Sequence, residues 1–86
     1  MDNTIKAQMT AFMNLMEARL KENANRGDWR VYNFYYLVSC LVSNMGTLVR
    51  AYEVKNRDVL LRSAADSANY TMMIADLFGE MAMKKR

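Results

Sequence analysis

Apolar side chains return at three- and four-residue steps in three stretches of the chain, and each stretch reads as one helix. In the first, Ile5, Met9, Phe12, Met13, Met16 and Leu20 fall on one face of a helix from about Thr4 to Asn23. Asp2, Asn3 and Thr4 offer oxygens for its N-cap. The run "NANRGDW" breaks the pattern, and Gly27 suits a positive φ in that turn. The second helix is predicted from an Asn33 cap to about Glu53. Phe34, Leu37, Leu41, Met45, Leu48 and Tyr52 form a nearly heptad stripe, the mark of a helix–helix seam. Tyr36, Cys40, Ser43, Thr47 and Arg50 lie on another face, with Asn44 beside it. A helix apolar on more than one side is predicted to be central.

"EVKNRD" is a short polar connection, and Asp58 is the candidate cap of a third helix from Val59 to about Phe78. Leu61, Ala65, Ala68, Met72 and Ala75 form its tightest predicted seam, while Ser63, Asp66, Asn69, Tyr70 and Met73 share a different face. Gly79 is a candidate C-cap, with residues 81–86 as a basic tail. No repeat or linker divides the chain. The expected architecture is all-α: one domain over 1–86, an antiparallel helical hairpin plus an N-terminal helix, completing a four-helix-type bundle by oligomerisation.

Composition sharpens this picture. An 86-residue chain that is 52% apolar, with nine Met, carries more apolar surface than one small core hides, so a homodimer or homotetramer is expected. Absence of Pro and a count of three Gly favour long helices. One cysteine, Cys40, rules out an intrachain disulfide and suits a reducing compartment. The start "MDNTIKAQMT" has no signal-peptide pattern, and "FYYLVSCLVSNMGTLV" is too short to span a bilayer. A cytoplasmic protein without a membrane partner is the expectation. A net charge of +3 with interleaved signs gives no nucleic-acid surface. "RGD" at 26–28 is read as coincidence. With no His, the commonest general base and transition-metal ligand are missing.

"GDWRVYNFYYLVSCLVSNMGTLVRAY" followed by "LLRSAADSANYTMMIADLFG" resembles the MazG-like all-α nucleoside triphosphate pyrophosphohydrolases, over roughly Met16 to Phe78. The family's two acidic pairs, Glu-x-x-Glu and Glu-x-x-Asp on consecutive helices, bind Mg²⁺, a hard cation that takes oxygen ligands. Carried onto this chain, the resemblance puts the first pair on Asn44 and Thr47 and the second on Ser63 and Asp66. Three of the four carboxylates are therefore replaced. Val42 and Ser43 stand at further positions often acidic in the family, while Asn69, Tyr70 and Asp76 keep later marks and Trp29 keeps the turn Trp.

Asp66 then has two readings: a remnant of the metal quartet, or a carboxylate bonded to a neighbouring helix, for example through Asn69 or a Tyr hydroxyl. Loss of three negative charges removes repulsion toward phosphates, and Arg50 and Arg62 adjoin the altered positions as candidate phosphate contacts or as solvated surface charges. Trp29, Tyr32, Phe34, Tyr35, Tyr36 and Tyr70 offer stacking faces, with Phe34 and Tyr36 expected in the core or a subunit contact. Cys40 is read as a packing group. The resulting expectation is a degenerate MazG-like protein that binds or sequesters a nucleotide or phosphorylated nucleotide-derived signal without hydrolysing it, in a phage-type anti-defence setting. The ligand-binding candidates are Trp29, Asn44, Thr47, Arg50, Arg62, Ser63, Asp66, Asn69 and Tyr70. No catalytic residue or resident cofactor is expected, and Mg²⁺ on Asp66 enters only with residual activity. The rivals are a protein-interaction module aimed at a host protein and a weak Mg²⁺-dependent pyrophosphohydrolase.

Overall fold

The computed structural model describes residues 3–23 and 29–84, with side chains described as far as Gly79. Its elements are α1 (Asn3–Glu22), a 3₁₀ turn (Trp29–Val31), α2 (Phe34–Glu53) and α3 (Arg57–Lys84). Among the described residues there is no strand, and the fold is all-α as the pattern predicts. The expected features at Asp2, Gly27, Arg26–Asp28 and the final Lys85 and Arg86 lie outside the described residues.

Local chemistry sets the hairpin. Asn33 is extended (φ −90°, ψ 167°), and its side-chain oxygen accepts from the Tyr36 N–H at 2.8 Å, which starts α2 where predicted. At the other end the Lys55 N–H donates to Tyr52 O at 3.1 Å and the Asn56 N–H to Ala51 O at 2.8 Å. That bond pair closes a helix through one left-handed residue. Here it is Lys55, at φ 59°, in a place glycine usually fills.

The structure corrects both predicted ends of α3. Asn56, not Asp58, is its cap: the Asn56 Oδ1 accepts from the Val59 N–H at 3.2 Å, and Asp58 sits inside the first turn. Gly79 does not stop the helix, which continues through the predicted tail to Lys84. A glycine weakens a helix by about 1 kcal/mol relative to alanine. With "EMAMK" following and no proline, that is too little to end it.

α2 and α3 form an antiparallel pair, and α1 runs antiparallel to α3 on another side. α1 and α2 barely meet, so the central helix is α3 and not α2. Among the described residues the buried set is Leu37, Ala51 and Ala65 together with Ser63 and Asn69. Both predicted seams are thus rotated. On α2, Leu37 is buried and Leu41 and Leu48 are half-buried, but Phe34, Met45 and Tyr52 are exposed. On α3, Ala65 of the predicted seam is fully buried and Ala68 half-buried, but Leu61, Met72 and Ala75 are exposed while Ser63 and Asn69 are also buried. Two amides explain the rotation. Asn44 Nδ2 donates across to Ser63 O at 2.6 Å and Ser67 Oγ at 2.8 Å. Asn69 Nδ2 donates to Met16 O on α1 at 3.0 Å. Polar groups placed at both interfaces must find partners there, and the helices turn to let them.

Candidate functional site

Where the end of α1, the 3₁₀ turn, the first half of α2 and the middle of α3 come together, they enclose a cavity of about 240 Å³. Of the sequence candidates, Trp29, Asn44, Asp66, Asn69 and Tyr70 line it. Ser63 is buried in the α2–α3 interface, giving its carbonyl to Asn44. Thr47 is exposed, in a shallow depression shared with Ser39, Ser43 and Tyr70. Arg50 lies further along α2, in a groove with Val54 and Val59 at the hairpin end. Arg62 is exposed and donates from Nε to Asp58 O at 3.4 Å, within its own helix. The structure therefore brings positions 44 and 66 to one cavity and leaves Thr47, Arg50 and Arg62 outside it.

Asp66 has a partner that the sequence reading did not single out. Arg19, in the last turn of α1, donates from Nε to Asp66 Oδ1 at 2.9 Å and from Nη2 to Oδ2 at 3.0 Å. The fork engages both carboxylate oxygens, the geometry that makes such pairs strong. The third guanidinium nitrogen, Nη1, donates to Glu22. Arg19 is held more firmly protonated than a free arginine, first by its hydrogen bond to Asp66 and then by the charges of Asp66 and Glu22, against an opposing effect of burial. The expectation that Asp66 bonds to Asn69 or a tyrosine is replaced by this ion pair.

Those contacts decide how the residues suit Mg²⁺. A hard cation needs several oxygens free to face it. Both Asp66 oxygens are taken by Arg19, the Asn44 amide is directed at Ser63 and Ser67, and Thr47 stands outside the cavity. Among the described residues, no three His, Cys, Asp or Glu side chains gather closely enough to hold a metal ion. The residues present do not fit the family's Mg²⁺ centre.

Aromatic groups make the cavity walls. Trp29 fixes its indole by donating Nε1–H to Asp76 Oδ2 on α3 at 3.1 Å, so its ring is positioned by the turn and by α3 together. Tyr32 and Tyr36 stack with ring centres 4.7 Å apart and planes at 26°. Tyr36 is half-exposed and part of this wall, not of the core, and Phe34 is likewise exposed on the far side. The Tyr36 phenol is pushed above its usual range, chiefly by the neighbouring Cys40 thiol one helical turn away. Cys40, half-buried, also lines the cavity.

Asn69 forms part of the floor. It is 3% exposed, and its Oδ1 is buried without a hydrogen-bond partner, while Nδ2 is fixed on Met16. Among the described residues the charges at the lining are Arg19 and Asp66, which pair with each other. What remains is a small, neutral, aromatic-walled recess with amide and hydroxyl groups at its edge, chemistry suited to binding a planar polar molecule. Comparison with family models, with curated proteins and with solved structures finds no match to this chain.

Proposed function

We propose that the chain is a non-hydrolytic binding protein for a nucleotide or a nucleotide-derived signal, with the planar base held in the aromatic recess. The observation that carries this reading is the Arg19 fork on Asp66. It commits the one carboxylate kept from the family's quartet to an internal ion pair and leaves none at the other three positions. The resemblance supplies the ligand class, and the walls of Trp29, Tyr32, Tyr36 and Tyr70 supply the stacking surface. A volume of about 240 Å³ accommodates the base and part of a sugar. It is small against the ~300–1,000 Å³ of typical ligand pockets, so phosphates would extend past the rim. A protein of this kind sequesters its ligand; the single cysteine suits a cytoplasmic setting, and the resemblance suggests a use as a phage-type counter to a host signal.

The test is a thermal-shift panel of nucleosides, nucleotides and cyclic nucleotides with and without Mg²⁺, followed by chromatography of the ligand. Binding at a hundredfold excess over Kd adds about 2.7 kcal/mol to stability. For a domain of this length that is a rise in Tm on the order of 10–20 °C. At least one ligand class should raise Tm by such an amount, be recovered intact, and lose its effect on Trp29→Ala. Mg²⁺-dependent turnover abolished by Asp66→Ala, or no shift with any ligand, overturns the reading.

A further inference from the structure

The asparagines that line the recess, Asn23, Asn44 and Asn69, each spend an amide N–H inside the fold. Asn23 Nδ2 donates to Arg19 O at 3.0 Å. Asn44 Nδ2 donates to Ser63 O and to Ser67 Oγ, which uses both of its hydrogens. Asn69 Nδ2 donates to Met16 O at 3.0 Å. The Trp29 indole N–H is committed in the same way, to Asp76. What these amides can offer a guest is chiefly oxygen, an acceptor.

Asn69 makes that offer specific. It is 3% exposed, and among the described residues its Oδ1 is the buried side-chain atom without a hydrogen-bond partner. Turning the amide over would set oxygen against the Met16 carbonyl and break the bond to α1, so the orientation is fixed. An unmet buried acceptor is unfavourable, and folds seldom leave one. This one belongs to a residue in the wall of the recess, where a guest can supply the missing donor.

We propose that the recess takes its guest edge-first, through an N–H donor to Asn69 Oδ1, and that guanine is the base that fits. The inference rests on the nucleotide reading above and narrows it. A base held in a pocket is read by hydrogen bonds along its pairing edge. Uracil and thymine carry one N–H there between two carbonyl oxygens, which would face amide oxygens of like polarity. Adenine and cytosine set an amino group beside a ring nitrogen that accepts. Among the ordinary bases, guanine carries two adjoining donors on that edge, N1–H and N2–H, and so can meet more than one lining oxygen. Its flat faces then lie against the aromatic walls. Asn69 is on this account a specificity-determining residue.

Calorimetric titration of the full chain with guanosine, inosine and adenosine monophosphates tests this, because inosine differs from guanosine only by the missing amino group. A site built around a polar group rejects the analogue that leaves it unpaired. Guanosine monophosphate should bind about ten- to a hundredfold more tightly than the other two, the range that one unmet buried hydrogen bond spans. In Asn69→Leu, similar in size and without the acceptor, the preference should shrink toward unity. A residue that only packs, or only holds a water, would alter stability and leave the ratio unchanged. Should that variant unfold, the ratio in the native chain decides. Equal binding of the three, tighter binding of adenosine monophosphate, or a preference retained in folded Asn69→Leu overturns the proposal and leaves nucleotide binding in place. Binding of none of the three overturns it as well, and the thermal-shift panel then decides whether the broader reading falls with it.

Discussion

Arg19 and Asp66 form an ion pair whose side chains are only 16% and 20% exposed, between the limits of a worthless surface pair and a costly buried one. The two ends of the pair are not equivalent. Asp66→Ala leaves Arg19 with Glu22 as a second partner, whereas Arg19→Met leaves Asp66 partly buried with no cation. Urea unfolding should therefore show a loss of about 1–3 kcal/mol for Arg19→Met and a smaller loss for Asp66→Ala. The double variant should recover part of the difference, giving a positive coupling in the cycle; strict additivity would mean the pair contributes nothing. A second single-residue consequence concerns Tyr36. Because its folded phenol is raised by Cys40, the neutral form is favoured in the fold. Stability from this contact is then complete below the ordinary tyrosine range near 10.0 and is lost as pH rises through the higher folded value. Ultraviolet titration of tyrosine should show one late-ionising phenol that moves earlier on Cys40→Ala, and an unchanged titration would remove the influence of Cys40 on Tyr36 from the account.

Helix ends follow from capping chemistry, and they make the α2–α3 connection the most testable element. Lys55 occupies the left-handed position of the α2 C-terminal turn at φ 59°, where a Cβ is unfavourable by roughly 1–2 kcal/mol. Lys55→Gly should raise stability by about 0.5–1 kcal/mol once the extra freedom of glycine in the unfolded chain is subtracted. Asn56→Ala should cost about 1 kcal/mol through loss of the α3 cap, and more than Asp58→Ala. The reverse order would restore Asp58 as the cap. Three helices, the Asn33 cap and the hairpin were legible in the sequence because they rest on local periodicity and on turn chemistry. The rotation of α2 was not. A heptad stripe of Leu37, Leu41, Met45 and Leu48 is a stronger local signal than one asparagine, yet the hydrogen bonds of Asn44 to Ser63 and Ser67 fix which side of the stripe faces α3. The same limit applies to the recess. Trp29, Asn44, Asp66, Asn69 and Tyr70 were found through the resemblance, whereas Arg19 belongs to a helix whose register against α3 only the tertiary fold supplies. A carboxylate on an inward face called for a cation, and the chain offers twelve.

The whole chain is more open than its length implies. Its radius of gyration is 14.6 Å, against about 12 Å for a compact domain of this length. Every residue from Asn3 to Ala11 is exposed, Ile5 and Met9 among them. Among the described residues the buried apolar side chains are Leu37, Ala51 and Ala65, a slight core, and small domains need most of their apolar surface hidden to be stable at all. If the expected homo-oligomer forms by covering exposed apolar side chains of α2 such as Val42 and Val49, folding depends on chain concentration. If unfolding and dissociation occur together, each tenfold change in chain concentration is worth about 1.4 kcal/mol. For a dimer of two such chains this shifts Tm by roughly 3–6 °C per decade. Calorimetric scans over a hundredfold range of concentration should show that rise in the native chain, and the Val42→Glu, Val49→Glu variant should melt lower and without concentration dependence. A native Tm that stays constant across the range would mean that these three helices, open as they are, hold together unaided.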